Sequence, residues 1–358
     1  MTMGKAETCR DCGQEKISGT SHHCENAAPD FSIPGCTVTG RMLSSDDCWL
    51  VQARDSETGA LLLARELSSR IVADPDLLRR AEFGAEAVQK HSPGGVVPVL
   101  RILDQPHAVV SPWIDGPSIG ALLATRALAV DEAFALCDSV ASSMTNLHDL
   151  GVLHGYLSLD RVIVDPKGVP LVTGAGIDLG EHPSVEASVL LAPEVRAQGL
   201  SAIGPSADVF AVGRLLQIVT LGTAPLTDEQ AAAIIPEWVL ALILSATADD
   251  PGQRCSMLAF RQQLDAGATS MSGAGWLAAG TAGLASAVAA VGGAAVLSAA
   301  MTAGAATAVG ASSAVVGGTA VGVTGFFAAQ PLLAWVVVGV VGLGVLGGGG
   351  VVAYQAIT

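Results

Sequence analysis

Apolar and polar residues alternate through Cys48-Trp-Leu-Val-Gln-Ala53 and again through Ala60-Leu-Leu-Leu-Ala-Arg65. Between these runs lies Arg54-Asp-Ser-Glu-Thr-Gly59, which is rich in turn formers. The pattern predicts a strand, a turn and a second strand. Apolar positions then recur at helical spacing from about Asp76 to Lys90, directly after Pro75, a residue suited to a first helical turn. Val96 to Arg101 and His107 to Trp113 read as two further strands. Helical spacing returns over Ser118 to Leu123 and over Asp131 to Leu147. The second of these carries Asp131 and Glu132 in its first turn, where the helix dipole favours negative charge. Strands followed by helices predict an α+β body.

Beyond Asp265 the chain changes character. From Ala266 to Thr358 no Asp, Glu, Lys, Arg or His occurs. Three stretches in this region, Trp276 to Ala299, Thr302 to Phe327 and Leu332 to Tyr354, are long enough for about 30 Å of hydrocarbon at roughly 1.5 Å per residue. The third is rich in Val and Leu, whereas the first two are mostly Ala, Gly and Ser. Small residues four apart, as at Gly318 and Gly322 or Gly344 and Gly348, let helices approach closely and predict a homo-oligomer through the membrane. Trp276, Trp335 and Tyr354 stand near span ends, where interfacial aromatics belong. C-terminal transmembrane helices are therefore expected over 266–358. Arg254 and Arg261, ahead of the first span, favour a cytoplasmic body.

All of the net charge of −15 falls on the first 265 residues. An acidic surface disfavours nucleic acid, whose phosphates call for Lys and Arg, and the aromatics are too few for base-stacking platforms. Seven cysteines occur, at 9, 12, 24, 36, 48, 137 and 255. No apolar run opens the chain, so a reducing compartment is expected, with the early cysteines as metal ligands and not disulfides. Cys9 and Cys12 form a CxxC, and His22-His23-Cys24 follows. Thiolates and imidazole at this spacing can close a tetrahedral zinc site. The expected ligands are Cys9, Cys12, Cys24 and His22 (or His23), with Cys36 as a substitute. Residues 1–36 would then be a zinc-ribbon-like head folded around its metal.

Several motifs follow one another in order. Leu147-His-Asp-Leu-Gly-Val-Leu-His154 leads into Gly155-Tyr156-Leu157-Ser158-Leu159-Asp160-Arg161. Then come Leu171-Val-Thr-Gly174-Ala175-Gly176-Ile177, Ala192-Pro193-Glu194, Asp208-Val-Phe-Ala-Val-Gly213 and Asp250-Pro-Gly-Gln-Arg254. Over residues 37–265 this series resembles the bacterial Ser/Thr protein kinases of the eukaryotic type. The resemblance implies a bilobal fold with a small lobe at 37–115, a large lobe at 116–265, and a hinge at Ile114-Asp115-Gly116.

The same resemblance implies a dismantled active site. Active kinases read H-R-D-L-x-x-x-N at the catalytic loop. Here Tyr156 stands for the general base, and a phenol with a pKa near ~10 is a poor proton acceptor at neutral pH. Arg161 stands for the metal-binding Asn, Ser158 for the loop Lys, and Gly174 for the second metal ligand. Hard cations need oxygen ligands that these residues lack. Arg65 takes the place of the phosphate-binding Lys, with Glu82 (or Glu86) as its helix partner. Of the Gly-rich loop only Gly40 survives, and Asp46 and Asp47 add negative charge beside it. The site therefore disfavours Mg·ATP; any residual nucleotide binding would use Gly40, Arg65 and Glu82. Asp160 and Asp165 are the nearest remaining carboxylates, the latter in a turn before Pro166-Lys-Gly168. The framework residues His154, Glu194, Asp208 and Arg254 persist, and Glu194 and Arg254 are expected to pair. The expected function is a membrane-anchored pseudokinase that binds protein partners without phosphoryl transfer. Two alternatives are an atypical Ser/Thr kinase with residual ATP binding, and a membrane-active, glycine-patterned protein regulated by its kinase-like domain.

Overall fold

A computed structural model describes residues 6–8, 15–17, 32–43, 49–67, 69–176, 189–222 and 228–291. Two short strands, β1 (Ala6–Thr8) and β2 (Glu15–Ile17), pair antiparallel at the start of the chain. The expected zinc ligands Cys9, Cys12, His22, His23 and Cys24 lie outside the described residues. Cys36 lies within them, at the start of a strand, with its Sγ 3.6 Å from Arg101 Nη1. No group of three or more His, Cys, Asp or Glu side chains able to hold a metal gathers among the described residues.

The small lobe is a five-stranded antiparallel sheet in the order β3-β4-β5-β7-β6. Its strands are β3 (Cys36–Leu43), β4 (Trp49–Asp55), β5 (Leu61–Glu66), β6 (Arg101–Asp104) and β7 (His107–Pro112). Alternation puts Val51, Ala53, Leu62, Ala64, Ala108 and Val110 on a common buried cluster. Asp55 builds the β4–β5 turn by accepting from the Glu57 and Thr58 N–H groups at 3.1 and 2.9 Å, and Arg101 Nη2 reaches its other oxygen at 2.7 Å. The strand expected over Val96 to Arg101 begins later, at Arg101. Before it, Val96 forms a single bridge to Val172, because Gly95 and Val97 give their backbone bonds to Val172 of the other lobe.

After α1 (Ser69–Ala73), α2 runs over Pro75–His91. Asp74 caps it, accepting from the Asp76 and Leu77 N–H groups at 2.9 and 3.3 Å, with Pro75 in the first turn. Ala81, Ala85 and Val88 give α2 a buried stripe that joins the main core of the molecule.

The large lobe is built on α4 (Val130–His148) and α6 (Pro205–Leu221), both buried along most of their length. Around them stand α3 (Ile119–Thr125), the hairpin of β8 (Val162–Val164) and β9 (Pro170–Val172), α5 (Pro193–Gln198), α7 (Asp228–Ala232), α8 (Glu237–Ala246), α9 (Met257–Ser272) and α10 (Trp276–Val291). Three contacts staple the lobes together. Val97 N–H donates to the Val172 carbonyl and Val172 N–H to the Gly95 carbonyl, each at 2.8 Å, and Asn146 Nδ2 donates to the Gly94 carbonyl at 2.9 Å.

Two of the expected boundaries meet helices that pack on the large lobe. The end of the body, placed at residue 265, falls inside α9. The first expected span, Trp276 to Ala299, starts with a helix that packs on α4 and α3 of the large lobe. Trp276, Gly280, Leu284, Ala287 and Val288 are its buried positions, and their spacing is that of one helical face. The rest of that span and the expected spans 302–327 and 332–354 lie outside the described residues. No single helix among the described residues is long and apolar enough to cross a membrane.

Candidate functional site

The loop between α4 and β8 is held from below by one carboxylate. Asp208, 1 % exposed in the first turns of α6, accepts from the backbone N–H groups of His154 at 3.0 Å and Gly155 at 2.8 Å. His148 Nε2 reaches the same group at 2.8 Å. Gly155 has a φ of 72°, in the left-handed region where a side chain is strained. His154 is fully buried, and the bonds at its ring set its tautomer. The Tyr156 N–H meets Nδ1 at 3.3 Å, so Nδ1 accepts, and Nε2 carries the hydrogen towards the Thr173 carbonyl at 3.1 Å. The strand leading to Gly174 is thereby tied to the loop leading to Tyr156.

Tyr156, expected at the place of the general base, is 2 % exposed. Arg161, expected at the place of the metal-binding Asn, is equally buried, and its guanidinium carbon stands 4.8 Å over the Tyr156 ring. A short 3-10 turn, Leu159–Arg161, brings the two together, with Arg161 N–H donating to the Ser158 carbonyl at 3.1 Å. Thr173 N–H in turn donates to the Arg161 carbonyl at 2.8 Å. A cation over an aromatic face in a desolvated place is a favourable contact of about 2 kcal/mol or more. These two positions are thus filled by a buried, stacked pair. Motif matching identified both residues, but gave no sign that they would stack.

Neither remaining carboxylate of this loop lines the cleft. Asp160 Oδ1 accepts from Ser118 Oγ at 2.8 Å, at the N-cap of α3. Asp165 makes its own turn, accepting from the Lys167 and Val169 N–H groups at 2.9 and 2.8 Å. The cleft between the lobes is a cavity of about 50 Å³, lined by Leu63, Arg65, Val109, Ile114, Ile163 and Gly174 among others. By the room one water needs, it holds only a few. No Asp or Glu lines it among the described residues. Arg65 projects from β5 into this lining. Glu82 is half-buried on α2. Gly40 lies on β3 beside a bulge in the β3–β4 register, and Asp46 and Asp47 lie outside the described residues.

The framework pair is formed as the motifs predict. Arg254 Nη1 and Nη2 each stand 2.7 Å from one carboxylate oxygen of Glu194. The Arg254 side chain is fully buried, and its guanidinium carbon lies 4.9 Å over the Phe210 ring. Burial by itself would raise the Glu194 pKa, but the Arg254 hydrogen bonds outweigh it and hold the carboxyl below its ordinary value. Two further Arg–carboxylate pairs of the large lobe were not foreseen. Arg126 pairs with Glu132 at 2.7 Å, and Arg261 with Asp138 at 3.0 Å. Glu132 also accepts from the Ala129 N–H at 2.7 Å, one half of a capping box whose other half Ala129 cannot supply.

Comparison with solved structures decides what this frame is. A crystal structure of the kinase domain of PknI from Mycobacterium tuberculosis, a mutant form, matches with a TM-score of 0.55 at 20% identity, covering 67% of this chain and 98% of that one. A second crystal structure of the same domain matches with a TM-score of 0.53 at 18% identity and the same coverage. The body of this chain has a protein kinase fold. No protein-family model matches the chain, and no curated protein matches it. In this kinase-like body, Asp208 and His154 support the loop before β8, and Glu194 and Arg254 support the large lobe. The atoms that would hold a metal are not supplied by Gly174 and Arg161, so the residues present do not fit Mg²⁺.

Proposed function

We propose that this chain is a pseudokinase, a kinase-like body that binds protein partners at a membrane and does not transfer phosphoryl groups. The observation that carries this reading is the buried Tyr156–Arg161 stack in the place of the general base and a metal ligand. A proton acceptor must reach the acceptor hydroxyl; a buried phenol under a guanidinium does not. Protein partners are favoured because the preserved parts of the fold are those that keep its surface in shape, while the cleft has little room for a ligand. Membrane attachment rests on the chargeless 266–358 region, whose small-residue spacing also supports self-association.

Titration of the detergent-solubilised full chain with ATP, with and without Mg²⁺, followed by a transfer assay, tests this reading. No Mg²⁺-dependent binding and no transfer are expected. Transfer that is lost on Arg65→Ala or Asp160→Asn would overturn the proposal in favour of an atypical kinase.

A zinc-bound head is part of the same proposal, with Cys9, Cys12, Cys24 and His22 as ligands. Native mass spectrometry is expected to find one zinc per chain, released by chelator and lost on Cys9→Ser with Cys12→Ser. A mass equal to that of the bare chain removes zinc from the account.

A further inference from the structure

The helix α10 has 16 residues. At roughly 1.5 Å per residue these described residues measure about 24 Å. One of its faces is fitted to the large lobe at backbone distance. A Cβ on Gly280 would stand 2.1 Å from the Asp131 carbonyl oxygen, and one on Gly283 would stand 2.5 Å from Glu132 Oε1. The β8–β9 turn approaches as closely, since a Cβ on Gly168 would meet the Thr281 carbonyl oxygen at 2.1 Å. Trp276, buried, donates from Nε1 to Asp265 Oδ1 at 3.2 Å, and Ser272 Oγ donates to Asp131 Oδ1 at 2.7 Å. This helix is a fixed part of the kinase-like body.

Its other face has no partner among the described residues. Leu277, Ala278, Ala282, Ser286, Ala289 and Ala290 are exposed, and none is charged. Large apolar side chains stand exposed on the elements that α10 touches. Val130 adjoins the Asp131 carbonyl under Gly280, Val169 adjoins Gly168, and Met271 adjoins Ser272; their exposures are 50%, 38% and 43%. The rim of α10 is thus taken from exposed apolar side chains on three other parts of the lobe that lie next to its contacts. An exposed apolar surface of this kind marks a contact site. After Val291 the sequence holds 67 further residues, none of them charged.

We infer that the outer face of α10, with its rim, rests on the membrane surface: the helix lies in the plane of a zwitterionic bilayer and does not cross it. The inference rests on the membrane attachment proposed above and adds which face of the body meets the lipid. The attached apolar chain fixes the occupant, because anchoring beyond Val291 holds this face beside the bilayer at high effective concentration. Charge fixes the lipid class. α10 carries no Lys or Arg and the body is acidic, so the contact works by apolar burial and not by attraction to anionic headgroups.

The test uses the full chain reconstituted in phosphatidylcholine vesicles, with a fluorescent amino acid placed at Ala282 or Ala289 on the outer face, or at Glu86 on α2 as a distant control. Nitroxide groups are carried on the lipid either near the headgroup or at the end of the acyl chain. Loss of fluorescence at Ala282 and Ala289 is expected, stronger with the shallow nitroxide, with none at Glu86. Stronger quenching by the deep nitroxide at Ala282, the middle of the helix, would mean that α10 crosses the bilayer and would overturn the inference. Vesicle flotation is run on the same samples. A chain that floats while its outer-face labels stay unquenched contradicts this surface alone. A chain that does not float removes the membrane reading and the inference together.

Discussion

Arg254 is a charge that the fold cannot leave unpaired. Its side chain is fully buried against Phe210, and Glu194 answers it with both oxygens. Removing one partner of such a pair costs about 3–5 kcal/mol, because the other is stranded. Arg254→Ala and Glu194→Ala are each expected to lower the thermal unfolding midpoint sharply, and Arg254→Lys to restore only part of it, since an ammonium cannot reproduce the two-pronged contact. The pair also has a pH signature. A carboxylate held below its ordinary pKa stabilises the fold above that value, near 4.5 for Glu, and the contribution is lost as pH falls through the lower folded value. Unfolding followed from pH 7 downwards should show stability falling below about 4.5, with less of that fall in Glu194→Gln. Equal acid profiles for the two chains would show that the pair is not coupled to folding. Glu194 and Arg254 were legible in the sequence because each sits in a motif with a known partner. The Tyr156–Arg161 stack was not, because residue identity reveals which ligands are gone but not how their replacements meet across a 3-10 turn.

At the scale of elements, the strands and helices of the body follow their patterns closely. Alternation in Trp49–Asp55 and Leu61–Glu66 and the capped start of α2 at Asp74 appear where the chain predicts them. At α10 the sequence shows less. Its Ala- and Gly-rich composition reads as a membrane span and does not reveal the stripe through Trp276, Gly280, Leu284 and Ala287 that packs on the large lobe. Composition averages over the helix and hides that stripe. The close fit at Gly280 gives a direct check, because a larger side chain there must collide with the Asp131 backbone. In Gly280→Leu, amide hydrogen exchange over 276–291 should speed up while the buried amides of α6 keep their protection. Unchanged protection of α10 would mean that its seat on α4 is not what holds it.

At the scale of the whole molecule, an acidic kinase-like body is joined directly to a chargeless tail, and the two are read by different rules. The body's fold is carried by a framework of buried contacts that does not depend on catalysis: Asp208 under the catalytic loop, His154 between loop and strand, and Glu194 with Arg254 beneath. That is why a chain only 20% identical to a solved kinase domain, and matched by no family model, keeps the fold. What the sequence could not convey is the cleft itself, whose size depends on how Leu63, Val109, Ile163 and Gly174 close on one another. The central claim is that this cleft has lost its metal-dependent nucleotide site. Calorimetric titration of the full chain with ATP measures this directly, once with Mg²⁺ and once with chelator. The same weak or absent binding is predicted in both. Binding that tightens tenfold or more, about 1.4 kcal/mol, when Mg²⁺ is present would contradict the account.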